Sequence, residues 1–153
     1  MTLSQWALLG FVIWTMLLLV GTVGRTRLTA VVRREAYANS FNPSVPHGSE
    51  RYQRSMRAHL NCLENLPIFA ALVLLGTALA IPGSLFQIAA FTVLPARVGQ
   101  SIAHVASGRN RAVLVRFAFF STQLLCFAVM AVLLALHGSG GASHDLPSGV
   151  RPE

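Results

Sequence analysis

Residues 57–67 read Arg57-Ala58-His59-Leu60-Asn61-Cys62-Leu63-Glu64-Asn65-Leu66-Pro67 and run straight into an uncharged hydrophobic stretch. An arginine, an amide and a carboxylate therefore enter an apolar segment together. An ionisable side chain inside a bilayer costs about 2.5–3.5 kcal/mol on insertion scales, so it is kept where it has a partner or a task. At about 100° per residue, Arg57, Asn61 and Glu64 stand at i, i+4 and i+7 and share one helix face, with Arg54 close to it. The rise from Arg57 to Glu64 is about 10 Å, the span of an extended tripeptide. The set offers a cation to a carboxylate, an amide to a backbone group and a carboxylate to an ammonium. That is chemistry for reading a small zwitterionic peptide along its length.

A second polar set follows the same spacing. Arg97, then Gln100 or Ser101, then His104 fall at i, i+3 or i+4, and i+7. Arg97 interrupts an otherwise uncharged segment and requires a partner. An Arg97–Glu64 ion pair that merely clamps two helices is one outcome of this pattern. It leaves Arg57, Asn61 and His104 without an explanation. A polar path for a transporter or channel, lined by Glu64 and Arg97, is another. Against it, the polar residues gather towards one membrane face only.

The elements that must position these groups are membrane helices. The chain has 153 residues, 54% hydrophobic and 11% charged, against about 25% charged in soluble domains, and its mean hydropathy is +0.58. Residues 1–24, 65–96 and 117–144 carry no charge, and the second run breaks near Ile81-Pro82-Gly83-Ser84. A span needs about 20 mostly apolar residues, so four spans are expected, over residues 4–25, 58–81, 85–107 and 113–137. The fold class is an all-α, four-helix antiparallel membrane bundle over residues 1–137, with a flexible Gly/Ser-rich tail at 138–153. The first span is read as a retained helix, because arginines follow it and no basic segment precedes it.

All twelve basic residues are arginine, and the formal net charge is +7. Seven fall in or beside the first loop and three in or beside the third; the second loop has none. The positive-inside rule then places loops one and three in the cytoplasm and both termini outside. The same charges could also attract anionic lipid. They flank spans instead of forming a soluble basic stripe, which argues against nucleic acid as a partner. Cys62 and Cys126 fit no disulfide framework and no zinc spacing, and His59 with Cys62 lacks further ligands, so no metal is expected. Asn39 to Ser49 is rich in turn formers. Ser49 before Glu50 makes a good helix start, and Pro67 and Pro95 are positioned to kink the second and third spans.

Arg57-Ala58-His59-Leu60-Asn61-x-Leu63-Glu64-Asn65-x-Pro67 resembles the signature of the MAPEG proteins, the membrane-associated proteins in eicosanoid and glutathione metabolism, and is nearest to that of the microsomal glutathione S-transferases. Glu50-Arg51-x-x-Arg54 is similar to the family's lead-in, Arg97-x-x-x-x-Ile102-Ala103-His104 to its third-helix pattern, and Asn110-Arg111-Ala112 to the start of its fourth helix. Tyr37-Ala38-Asn39 matches a weaker tag. The resemblance implies a homotrimer in which glutathione, as co-substrate, sits between subunits. Arg57, Asn61 and Glu64 would hold it, Arg97 would support the site, and Arg27 or Arg34 would supply a first-loop cation. Arg111 would face the glutathione sulfur as the catalytic residue. His104 stands where the family usually has tyrosine, and Leu60 where the prostaglandin synthase branch has arginine. The expected function is a membrane glutathione transferase or peroxidase acting on hydrophobic electrophiles. The competing expectation is a non-enzymatic lipid-binding or partner-binding trimer on the same scaffold.

Overall fold

The computed structural model describes residues 1–34 and 48–141. The Tyr37-Ala38-Asn39 segment, most of the expected turn-rich stretch before Ser49 and the tail from 142 onward lie outside the described residues. Among the described residues every regular element is helical. The order is α1 (Leu3–Leu18), a π-helical segment (Leu19–Gly24), α2 (Arg25–Val32), α3 (Glu50–Ala78), α4 (Ser84–Ala106) and α5 (Asn110–Gly141).

Local sequence accounts for the helix ends. Thr2 and Gln5 form a reciprocal capping box, in which the Thr2 hydroxyl accepts from Gln5 N and the Gln5 side chain accepts from Thr2 N at 2.9 Å. This satisfies donors that the first turn would otherwise leave open. Ser49 caps α3 by accepting from Tyr52 N, with Glu50 acidic in the first turn. At the other end of α3 the Ile81 N–H reaches Gly76 O and the Ala80 N–H reaches Thr77 O. That pair of bonds is the Schellman pattern, and it holds Ala80 in the left-handed region at φ 48.

The first helix departs from expectation. The span predicted to end at residue 25 continues without a break to Val32, so Leu3–Val32 forms one 30-residue helix. The extension crosses the π segment, where the turn widens to admit an extra residue. The last helix runs from Asn110 to Gly141, beyond the expected 113–137 and into the segment expected to be a tail. Among the described residues three helices are long and apolar enough to cross a membrane: Leu3–Val32, Glu50–Ala78 and Asn110–Ser139. The helix α4 is not among them, although four spans were expected. Its polar residues lower its hydropathy but point inward, since Arg97, Gln100 and Ser101 are buried while Leu85, Ile88, Phe91 and Ile102 are exposed.

The helices pack around a core of Phe11, Phe69, Val73, Phe86, Val93, Phe127 and Met130. Phe69 sits at the centre, with its ring 5.6 Å from that of Phe11 and 6.0 Å from that of Phe127. Two glycines permit the closest helix approaches. A Cβ on Gly76 would run into the Phe86 ring, and one on Gly99 would lie 2.6 Å from Phe119. Small residues at such crossings let membrane helices pack by van der Waals contact.

Candidate functional site

The sequence-defined ladder lies on α3. Arg57 and Glu64 are exposed and Asn61 is half-buried between them. The same stripe continues along the helix as Ile68 and Leu75, both about half exposed at 52% and 53%. One face of α3 therefore runs from charged to apolar with no covering element among the described residues.

Behind the ladder is Arg97, which is 1% exposed. Its Nη1 donates to Asn61 Oδ1 at 2.9 Å, and its guanidinium carbon lies 5.3 Å from the centre of the Phe11 ring. A guanidinium over an aromatic face is held by the ring quadrupole. Asn65 Nδ2 also donates to Asn61 Oδ1 at 3.0 Å and to Asn61 O at 2.8 Å. Arginine has no acceptor, so the Asn61 oxygen must face Arg97. The Asn61 amide nitrogen is then left free to donate outward. The buried arginine converts Asn61 from an ambivalent amide into a fixed donor on the exposed face.

The Arg97–Glu64 ion pair, the alternative that would merely clamp two helices, is not formed. Among the described residues no ion pair within 4 Å involves Glu64, and the recorded pair is Arg54 Nη1 with Glu50 at 3.2 Å. Glu64 lies within electrostatic reach of Arg97 but keeps its carboxylate outward. Arg97 Nε and Nη2 are buried without a hydrogen-bond partner among the described residues.

Other predicted residues fall at varied depths. His104 is half-buried in the last turn of α4, within electrostatic reach of Arg116, Arg57 and Arg97. Arg111 is exposed in the first turn of α5. Arg27 is half-buried on α2, and its Nε donates to the Tyr52 hydroxyl at 2.8 Å. Arg34 lies past the end of α2 at φ 58, so it shares no helix face with Arg27. Ser101 donates to Arg97 O at 2.8 Å and meets the Cys62 sulfur at 3.6 Å. Gln100 accepts from Gln123 Nε2 at 3.0 Å, which ties α4 to α5.

Three contributors were missed in the sequence. Asn65 orients Asn61, Tyr52 holds Arg27, and Gln123 pairs with Gln100. Asn65 had a signal, since it stands four residues after Asn61 on a helix. Gln123 had one too, as a lone amide in the uncharged run 117–144, and the structure buries it wholly. No group of three or more potential metal ligands occurs among the described residues.

An all-helical, multi-pass membrane protein with a polar ladder backed by a buried arginine is the class that this fold and site define. No curated protein matches the chain in sequence. The MAPEG family model matches residues 5–136, and the chain belongs to the MAPEG family.

Proposed function

We propose that this protein is an integral-membrane glutathione transferase that presents the glutathione thiolate to hydrophobic electrophiles dissolved in the bilayer. The observation that carries the reading is the open ladder. Arg57 and Glu64 are exposed on one face of α3, and between them Asn61 is fixed with its donor outward by Arg97. In this reading the protein is a homotrimer, and the uncovered α3 face meets a neighbouring subunit with glutathione in the seam. Loops one and three lie in the cytoplasm, where glutathione enters, and both termini lie outside.

Arg57 takes a glutathione carboxylate, Glu64 takes the ammonium, and the Asn61 amide donates to a peptide carbonyl. Arg27 and Arg34 are the first-loop candidates for the second carboxylate, and the Tyr52 bond that positions Arg27 favours Arg27. His104, within electrostatic reach of three arginines, replaces the usual family tyrosine as a hydrogen-bonding neighbour of the site. Arg111 faces the sulfur. A free thiol titrates near about pH 8.5, and only the thiolate is the nucleophile. Lowering that value by about two units takes roughly 2.7 kcal/mol of preferential thiolate stabilisation, which a permanent guanidinium in a low-dielectric seam can supply. The thiolate then forms a carbon–sulfur bond as the halide or other leaving group departs. With a peroxide as acceptor, attack on oxygen releases the alcohol, and a second glutathione resolves the sulfenate to the disulfide.

The test is conjugation of an aryl halide by the detergent-purified chain, compared with Glu64→Gln and Arg111→Ala. Glu64→Gln should raise the KM for glutathione about tenfold or more, the loss of one charged hydrogen bond. Arg111→Ala should lower kcat about 25-fold at about pH 7, the ratio of thiolate fractions for thiols titrating near about 6.5 and 8.5. Equal activity in all three would refute the assignment. An intact trimer that does not bind glutathione would favour the non-enzymatic lipid-binding or partner-binding reading, which draws support from the histidine at position 104.

A further inference from the structure

A cleft inside the protomer lies apart from the ladder. One cavity, of about 450 Å³, is bounded by α1, α3 and α4 and includes Trp14, Leu18, Thr22, Arg51, Ile102 and Val105. A second, of about 510 Å³, shares Thr22, Arg51 and Val105 with it and adds Arg25. The shared residues make the two adjoin, and each is within the range of about 300–1,000 Å³ typical of small-molecule sites. Arg57, Asn61 and Glu64 line neither.

The combined cleft is amphiphilic. Its inner part is Trp14, Leu18, Ile102 and Val105; its outer part carries Arg25 and Arg51. Among the described residues the acid at this end, Glu50, is engaged by Arg54. Among the described residues neither Arg25 nor Arg51 has an ion-pair partner within 4 Å. The indole N–H of Trp14 is buried without a hydrogen-bond partner, and the Thr22 hydroxyl is turned back onto the Leu18 carbonyl. The charged groups left open are therefore cationic donors, and they call for an anionic, acceptor-rich head. Ile102 is 55% exposed at the rim, so the apolar part opens sideways towards acyl chains. The helix beside the cleft is widened into its π segment, a distortion frequent at functional sites, and Gly21 and Thr22 of that segment line the outer cavity.

We propose that this cleft holds one anionic phospholipid of the surrounding bilayer, with its phosphate between Arg25 and Arg51 and one acyl chain along Trp14, Leu18 and Ile102. A zwitterionic lipid would bring its own ammonium against the same guanidinium groups and bind less well. A free anion would use only the outer half.

The test uses the full chain carrying Trp6→Phe, which leaves Trp14 as the single tryptophan. In zwitterionic micelles the protein is titrated with phosphatidylglycerol or phosphatidylcholine bearing brominated acyl chains, and quenching of Trp14 is read. Near an anionic headgroup each arginine contributes about fivefold, the factor corresponding to about 1 kcal/mol per basic side chain. Phosphatidylglycerol should therefore half-quench at a mole fraction about 25-fold lower than phosphatidylcholine does. Arg25→Gln with Arg51→Gln should abolish that preference, and each single change should remove about fivefold. Both residues are exposed, and unchanged far-UV circular dichroism checks that the helices survive; if the double variant does not fold, the two single variants decide. Inorganic phosphate in excess should leave the brominated lipid in place. Equal quenching by the two lipids, a preference that persists without the arginines, or displacement by inorganic phosphate would overturn the proposal, the last by showing a simple anion site.

Discussion

Replacing Asn61 by leucine should cost far more stability than replacing Arg97 by methionine, although the two residues share one hydrogen bond. Arg97 is 1% exposed, and the Asn61 oxygen at 2.9 Å is the hydrogen-bond acceptor recorded for its side chain. Asn61→Leu removes that acceptor and strands a buried cation, which costs about 3–5 kcal/mol. Arg97→Met deletes the cation itself. It gives up a charged hydrogen bond of about 1.5–3 kcal/mol and a contact with Phe11 of up to about 2 kcal/mol. Against this it relieves a desolvation cost of several kcal/mol, and the unbranched methionine fills the vacated space. The Asn61 oxygen keeps Asn65 Nδ2 at 3.0 Å, so no acceptor is orphaned. The net cost of Arg97→Met should then stay within about 1 kcal/mol. The double variant should recover about 2–4 kcal/mol relative to the sum of the single variants. Unfolding by increasing dodecyl sulfate in mixed micelles, followed by far-UV circular dichroism, reads all four corners of the cycle. Equal losses for the two single variants, or simple additivity, would show that Asn61 is not what holds the Arg97 charge.

Ala80→Gly should raise stability by about 0.5–1 kcal/mol in the same assay, because residue 80 sits in the left-handed region that costs a non-glycine residue about 1–2 kcal/mol. Phe69→Ala should cost about 3–5 kcal/mol, since its ring is wholly buried between Phe11 and Phe127. Tyr52→Phe should cost about 1 kcal/mol by removing the acceptor of the Arg27 bond. It should also weaken glutathione binding if Arg27 holds a glutathione carboxylate, which isothermal calorimetry would register.

The ladder was legible because it depends only on spacing along a regular helix. Arg57, Asn61 and Glu64 fall on one stripe whatever packs against α3. The partner of Arg97 was not legible in the same way. Charge pairing pointed to Glu64, whereas the structure gives Asn61. A change of about 100° in the setting of α3 against α4 would bring a different side chain forward, and that setting is decided by close packing at positions such as Gly76 and Phe86. Hydropathy marked four spans, but α4 carries its polar residues on the inner side, so its composition understates how apolar its outer surface is. The π segment had no sequence signal at all: Leu19–Gly24 is an apolar stretch with two glycines and a threonine, which suits an ordinary membrane helix equally well.

That widened turn has a consequence for how the first helix can vary. An extra residue accommodated within one turn acts as a phase adjuster between two halves of a rod. The Ser4, Ala7, Phe11, Thr15 and Leu18 side can keep its register with the core while Arg25 and Arg27 take a different azimuth. Deleting one residue between 19 and 24 would restore regular winding while leaving Phe11 and both arginines near their present azimuths, because the widened turn gives up the residue that is lost. A one-residue change of length at this point is thus taken up by the local winding, and both the packed half and the basic end of the helix stay in place.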